Sequence, residues 1–254
     1  MARTGRKKSA SGIYHIMVRG INKQNIFLQE EDYLKYLNIL GDYKNEIAFD
    51  LYAYCLMGNH LHLLLNEGNE DISNIMKRIG VSYVSWFNWQ HNRNGHLFQG
   101  RFRSEPVEND KYLLAVLRYI HQNPIKAGMV KSIGDYEWSS YREYMGQGEI
   151  VNTEYILGTF SKDRKKAVQM FQDLHKREDE NTYMGVAKEK KSLSDGEIRE
   201  LVLKNYKVSL IDLVKEKKEL QDEIILYLKK KEGVSLRQLS RLSGLTVHRI
   251  YKVE

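Results

Sequence analysis

The chain of 254 residues holds one cysteine, Cys55, and two prolines, Pro106 and Pro124. A lone cysteine excludes an internal disulfide and a thiolate metal cluster, and it suits a reducing compartment. So few prolines, beside 42% hydrophobic and 29% charged residues, exclude a proline-rich or disordered linker protein. No apolar stretch approaches the roughly 20 residues that a membrane-crossing helix needs. Residues 1–12 form a basic arm in which Arg6, Lys7 and Lys8 run into Ser9-Ala10-Ser11-Gly12 instead of an apolar core. That is not a secretory signal, and the expectation is a cytoplasmic protein with no membrane partner. An acidic excess is also lacking. Lys plus Arg number 40 against 33 Asp plus Glu, leaving +7. This balance favours a polyanionic partner without identifying one, and a solvated mixed-charge surface accounts for it equally well.

Hydrophobic patterning divides the chain. Ile13 to Val18 is a β-branched and aromatic run closed by Gly20 and Asn22, which reads as a strand. From Glu30 to about Glu46, Tyr33, Tyr36, Leu37, Leu40 and Tyr43 recur at helical spacing behind an acidic first turn. Two apolar runs, Ala48 to Met57 and His60 to Leu65, flank Gly58-Asn59 as a hairpin. A second amphipathic helix spans Ile72 to Gln90, and a strand follows from Phe102 to Val107. Asn109 or Asp110 caps a third helix on the stripe Leu113, Leu117 and Ile120, which Pro124 is expected to stop near Gln122. The order is that of a ferredoxin-like α+β sheet, antiparallel, with helices on one face and the other face free for a site. The expected domains are 13–147 for this sheet and 148–254 for an all-α C-terminal region. Within the latter, Lys162 to Lys176, Ser194 to Tyr206 and Leu220 to Lys231 read as helices, and Glu178 to Thr182 and Lys188 to Ser192 as exposed connections.

His60-Leu61-His62 is the most informative triplet. Residues i and i+2 of a strand share a face, so both imidazoles project together while Leu61 faces the core. Such a pair suits a divalent metal, although two solvent-facing strand histidines would look the same in isolation. On the third helix, Tyr119 and Asn123 lie one turn apart on a face distinct from the leucine stripe. Packing is the ordinary role of a tyrosine, and this chain has 17 of them.

Three segments in order, Tyr54-Cys55-Leu56-Met57-Gly58-Asn59-His60-Leu61-His62, then His96-Leu97-Phe98-Gln99-Gly100-Arg101-Phe102, then Arg118-Tyr119-Ile120-His121-Gln122-Asn123-Pro124, resemble the single-tyrosine HUH transposases. Within that family, whose domain is IS200-like, the likeness is to the REP-associated tyrosine transposase branch, over about residues 13 to 145. The resemblance implies a metal-dependent transesterification on single-stranded or hairpin DNA. His60 and His62 would hold Mg²⁺ or Mn²⁺, with Asn123 as third ligand; His121 is an alternative whose helix phase points it elsewhere, and His15 on the first strand either faces the site or packs. Tyr119 would be the nucleophile, forming a 5′-phosphotyrosine and freeing a 3′-OH. Short relatives act as dimers that exchange tyrosine helices and longer ones act alone, so homodimer and monomer both stay open.

Arg19, Arg101, Arg103 and Lys126 are the cations expected near phosphates. Trp86, Trp89 and Phe98 are aromatic candidates for stacking on unpaired bases, Trp86 fitting a core position better. Over 234–253, Ser235 and Thr246 cap two short segments around Gly244, with Leu236, Leu239, Leu242, Val247 and Ile250 inward. This is a helix-turn-helix pattern that would bring His248, Arg249 and Lys252 to DNA. A plain helical hairpin fits the same residues. Two further classes compete with the transposase reading: a domesticated sequence-specific DNA-binding regulator without cleavage, and a nuclease that activates water and has no use for Tyr119.

Overall fold

The computed structural model describes residues 6–146, 148, 150–177, 193–231 and 234–253. It divides into two compact units, Met1–Gly185 and Val186–Glu254.

In the first unit, β1 (Ile13–Arg19), α1 (Glu30–Ile47), β2 (Asp50–Met57), β3 (His60–Asn66), α2 (Ile72–Gln90), β4 (Arg103–Pro106) and α3 (Asp110–Lys126) follow in chain order. The four strands form one antiparallel sheet in the order β2-β3-β1-β4. This is the ferredoxin-like α+β arrangement that the element order implies, with β3 and β1 central. Met57 pairs with His60 across the two-residue connection Gly58-Asn59, so the hairpin fixes the β3 register. Gly20 closes β1, and only glycine fits there. A Cβ would sit 2.1 Å from the Gln24 carbonyl oxygen.

The sheet has two dissimilar faces. Tyr14, Ile16 and Val18 of β1 share one face with Leu61, Leu63 and Leu65 of β3, and α1 and α2 cover it. Tyr36 and Tyr83 of these helices close over Phe27, and the Tyr83 hydroxyl donates to the Ile26 carbonyl at 2.6 Å. His15, Met17 and Arg19 share the opposite face with Leu64, His62 and His60. That face does not stand free, as α3 crosses it and packs on β2 and β3.

The expected stop of α3 near Gln122 is corrected, since the helix runs through Pro124 to Lys126. Proline has no N–H to give the carbonyl four residues back. Here the Asn123 side-chain amide supplies the donor, reaching the Tyr119 carbonyl at 2.9 Å and the Ile120 carbonyl at 3.4 Å.

The boundary expected at 147 is corrected too. Helices α4 (Thr153–Phe160) and α5 (Arg164–His175) belong to the first unit. The Asn152 N–H donates to the Leu51 carbonyl at 2.7 Å, and Lys44 Nζ donates to the Ile150 carbonyl at 2.7 Å. Ala167, Phe171 and His175, spaced by four along α5, are all buried.

The second unit holds α6 (Asp195–Tyr206), α7 (Lys218–Lys229), α8 (Leu236–Ser243) and α9 (Val247–Tyr251) around Ile198, Leu213, Ile224, Leu239 and Ile250. Ser235 and Thr246 cap α8 and α9 through the Gln238 and Arg249 N–H groups, and Gly244 turns the chain at a φ of +74°. Val247, expected inward, is 42% exposed. Residues 178–182 and 188–192, read above as connections, lie outside the described residues. Among the described residues no helix is long and apolar enough to cross a membrane.

Candidate active site

The site grows from the pleat of β3. His60 and His62 lie on one face of a central strand, and both are buried. Their rings stand 5.2 Å apart, nearly perpendicular. Each is oriented through Nδ1. His60 Nδ1–H donates to the Asn59 carboxamide oxygen at 2.6 Å, and His62 Nδ1 lies 3.0 Å from Nε2 of His15 on the neighbouring strand. The Nε2 atoms of His60 and His62 are both buried without a hydrogen-bond partner. Two buried lone-pair positions on one sheet face, with the far nitrogens already engaged, form a donor pair that fits a divalent cation.

The electrostatics keep these ligands neutral. Burial lowers the His60 pKa to about 4, with Arg19 adding to it. Burial also holds His62 well below the usual imidazole range, helped by His15 and His60, and takes His15 down to about 3, helped by Arg103. Near neutral pH each imidazole therefore has a lone pair for coordination or hydrogen bonding. Cys55 pairs with His62 in the β2–β3 register, and burial pushes its thiol up, so it stays protonated. No group of three or more His, Cys, Asp and Glu forms a metal cluster among the described residues.

Helix α3 brings Tyr119 onto the pair. Its ring centroid is 5.6 Å from that of His62 and 5.8 Å from that of His15, and the residue is 8% exposed. Burial raises its phenol to about 12, partly offset by a hydrogen bond with the Asn123 side chain. Lys126 places Nζ 5.0 Å above the tyrosine ring, where its charge favours a phenolate. The Asn123 amide group also donates to the Tyr119 carbonyl at 2.9 Å, and its Oδ1 is the lone-pair atom a metal would take.

Of the four expected cations, Arg19 lies across from His60 in register, Arg103 acts on His15, and Lys126 lies over Tyr119. Arg101 lies elsewhere, lining a cavity with Val18 on the α1–α2 face. Phe98 lines that same cavity, while Trp86 packs beside Tyr83 and Trp89 is exposed. In the second unit, His248 and Lys252 are exposed, and Arg249 is paired with Asp222 of α7.

Sequence reasoning missed what anchors α3. His121 does not face the metal pair but turns into a buried chain of hydrogen bonds. The Ser140 hydroxyl lies 2.8 Å from His121 Nε2, His121 Nδ1 lies 2.9 Å from His175 Nε2, and His175 Nδ1 donates to the Phe171 carbonyl at 2.8 Å. That last bond fixes the tautomers: His175 Nε2 accepts, so His121 Nδ1 donates, and His121 Nε2 accepts from Ser140. Gln122 adds a bond from its amide to the His175 carbonyl at 2.9 Å. Asn59 was missed as well. Its signal was its position directly before the His-x-His triplet.

This geometry has counterparts. The family model described as "Transposase IS200 like" matches residues 8–123. A REP-associated tyrosine transposase of Escherichia coli K12 is 25% identical over 107 residues, covering 41% of this chain and 62% of that protein, so the match spans less than two thirds of that relative. A putative REP-associated tyrosine transposase of Haemophilus influenzae is 30% identical over 125 residues, covering 40% of this chain and 70% of that protein. The fold is shared with the solved structure of a REP-associated tyrosine transposase bound to a REP hairpin, at a TM-score of 0.50 and 21% identity, over 60% of this chain and 94% of that one. With a His-x-His pair on a central strand and a helical tyrosine against it, the chain belongs to the IS200-like transposase family, on its REP-associated tyrosine transposase branch.

Proposed function

We propose that this chain cleaves and rejoins single-stranded DNA, hairpin or repeat DNA being its target, through a 5′-phosphotyrosine on Tyr119. The observation that carries this reading is the contact of the Tyr119 ring with His62, beside two buried and unpartnered Nε2 atoms. A packing tyrosine needs no such neighbours, and a DNA-binding regulator has no use for the pair.

His60 and His62 are the residues that would hold Mg²⁺ or Mn²⁺, with Asn123 Oδ1 the third protein donor. When bound, such an ion draws charge from a non-bridging phosphate oxygen. The protein's own groups do the rest. Arg19, Arg103 and Lys126 receive the phosphates flanking the scissile one. The Tyr119 oxygen forms a bond to phosphorus as the bond from phosphorus to the 3′ oxygen breaks. The phenol loses a proton and the 3′ oxygen gains one, so the step is balanced without ATP and its reversal rejoins a strand. Since burial holds the phenol near 12, the positive field of Lys126 and the hydrogen bond of Asn123 favour the phenolate as it forms. In the second unit, exposed His248 and Lys252 on the two-helix element supply a further DNA contact.

The test incubates the protein with Mn²⁺ and single-stranded oligonucleotides drawn from the DNA flanking its own coding sequence, labelled at one end or the other. A denaturing gel should show a protein adduct that carries the 3′ label and not the 5′ label, and that disappears with Tyr119→Phe. Cleavage without an adduct, unchanged in Tyr119→Phe, would establish the water-activating nuclease instead. Tight binding with neither product would establish the regulator.

A further inference from the structure

On the sheet face opposite the histidines lies a cavity of about 760 Å³. Val18 and Met76 form apolar wall, Phe98 and Phe102 add two aromatic rings, and Arg6, Lys77 and Arg101 bring positive charge. No carboxylate is among its lining residues. Arg6 is held in place. Its guanidinium lies 3.7 Å from the Phe102 ring centroid and donates to the Ser73 hydroxyl and the Phe102 carbonyl, each at 3.3 Å. Burial and, after it, the charge of Arg101 lower its pKa, with Asp71 opposing them. Aromatic rings beneath a cationic rim suit one chemistry in particular, a planar base attached to phosphate.

Backbone hydrogen bonds tie one wall of the cavity to the strand that carries Arg19. Leu97 accepts from the Ile21 N–H at 2.9 Å, the Gln99 N–H donates to the Arg19 carbonyl at 2.7 Å, and Phe98 bridges Gly20. This wall is thereby tied to the end of β1, where Arg19 lies across from His60. Two residues after Arg101, Arg103 starts β4, the four-residue edge strand, and acts on His15 on the other face. Positive charge thus passes around a sheet edge from the tyrosine site into the cavity.

We infer that this cavity is a base-binding subsite for the same DNA strand. An unpaired base enters it to stack on Phe98, with its phosphates on Arg101 and Lys77, while the scissile phosphate lies across the sheet edge at Tyr119. The inference rests on the single-stranded DNA reading above. It adds a source of sequence preference remote from the chemistry, because contacts to a base specify sequence where contacts to the backbone only position the strand.

The experiment uses Tyr119→Phe protein, which binds without turnover, and a fluorescein-labelled single-stranded oligonucleotide from the flanking DNA with one abasic site walked along it. One position is expected to weaken binding by about 5- to 160-fold when its base is removed, the range of base stacking on an aromatic residue. Gly80→Leu fills the cavity. A Cβ there meets only Phe98, at 3.9 Å, and leucine is the better helix former, so the fold is retained. In this variant the intact strand should bind about as weakly as the abasic one, and the penalty at that position should vanish. Arg101→Ala should reduce the slope of log affinity against log salt by about one. An unchanged abasic profile in Gly80→Leu would overturn the subsite while leaving Tyr119 chemistry intact in the adduct assay. The reverse pattern, position-dependent coupling without an adduct from the native protein, would keep the subsite and remove the tyrosine mechanism. Displacement of the strand by free deoxynucleoside monophosphate, with no positional dependence, would assign the cavity to a small nucleotide and overturn the inference.

Discussion

His15 Nε2 lies 3.0 Å from His62 Nδ1, joining adjacent strands β1 and β3 through two fully buried imidazoles. For His62 to present a lone pair at Nε2, its Nδ1 must carry the proton and donate to His15. His15 thus selects the tautomer that coordinates. His15→Asn, which keeps a polar group but changes its reach, is expected to raise the Mn²⁺ concentration for half-maximal adduct formation by about 10- to 100-fold. Titration of adduct against Mn²⁺ reads this directly. A midpoint equal to that of the native protein would show that His15 is only a packing residue.

The same buried histidines set a pH profile for stability. His60 and His175 are lowered to about 4 and His15 to about 3, burial being the largest cause in each, and His62 and His121 lie well below their usual value. Unfolded, these groups titrate near 6.5, so below that pH the unfolded chain binds more protons than the folded one. Their contribution is fully present above about pH 6.5 and is lost as pH falls toward 4. Each unbalanced proton costs about 1.4 kcal/mol per pH unit. Urea melts of the metal-free protein at pH 7.5, 6.5, 5.5 and 4.5, chosen to span that window on the order of one unit apart, should show midpoints that are level at first and then fall steeply. A level profile down to pH 4.5, on the order of two units below the unfolded value, would contradict neutral burial of these rings.

Tyr119 meets the histidines of its own chain, and α3 is tied to α5 through His121 and His175. Exchange of tyrosine helices between two copies would break that buried chain of hydrogen bonds, with a cost of about 1–3 kcal/mol for each partner left unsatisfied. Each molecule is therefore expected to act in cis. A mixture of Tyr119→Phe with a His60→Ala, His62→Ala double variant should form no adduct. Restored adduct in the mixture would establish exchange between copies.

The parts legible in the sequence are those governed by short periods. Alternation along β3 placed His60 and His62 on one face, the helical spacing placed Tyr119 and Asn123 one turn apart, and the sheet topology followed from the element order. The missed features depend on partners distant in sequence. Pro124 signals a helix end by itself, and only the Asn123 amide bonding back to the Tyr119 and Ile120 carbonyls lets α3 continue. The charged surface of α5 suggested a separate helical region, yet Ala167, Phe171 and His175 at four-residue intervals carry it into the first unit. His175 meets His121, 54 residues earlier, and no local pattern announces such a pair. Arg101 and Arg103 look equivalent in sequence, and strand alternation alone would put them on one face. Arg101 instead precedes β4, just after Gly100 at a φ of +69°, and lines the α1–α2 cavity, while Arg103 in the strand acts on His15.

The proposed strand transfer requires a covalent bond between Tyr119 and DNA. The direct measurement isolates the adduct formed with Mn²⁺ and single-stranded flanking DNA, digests the protein with protease and the strand with nuclease, and locates the modified residue by mass spectrometry. A 5′-nucleotide is expected on the peptide that contains Tyr119. A nucleotide on any other residue, or strand cleavage with no modified peptide, would contradict strand transfer through Tyr119.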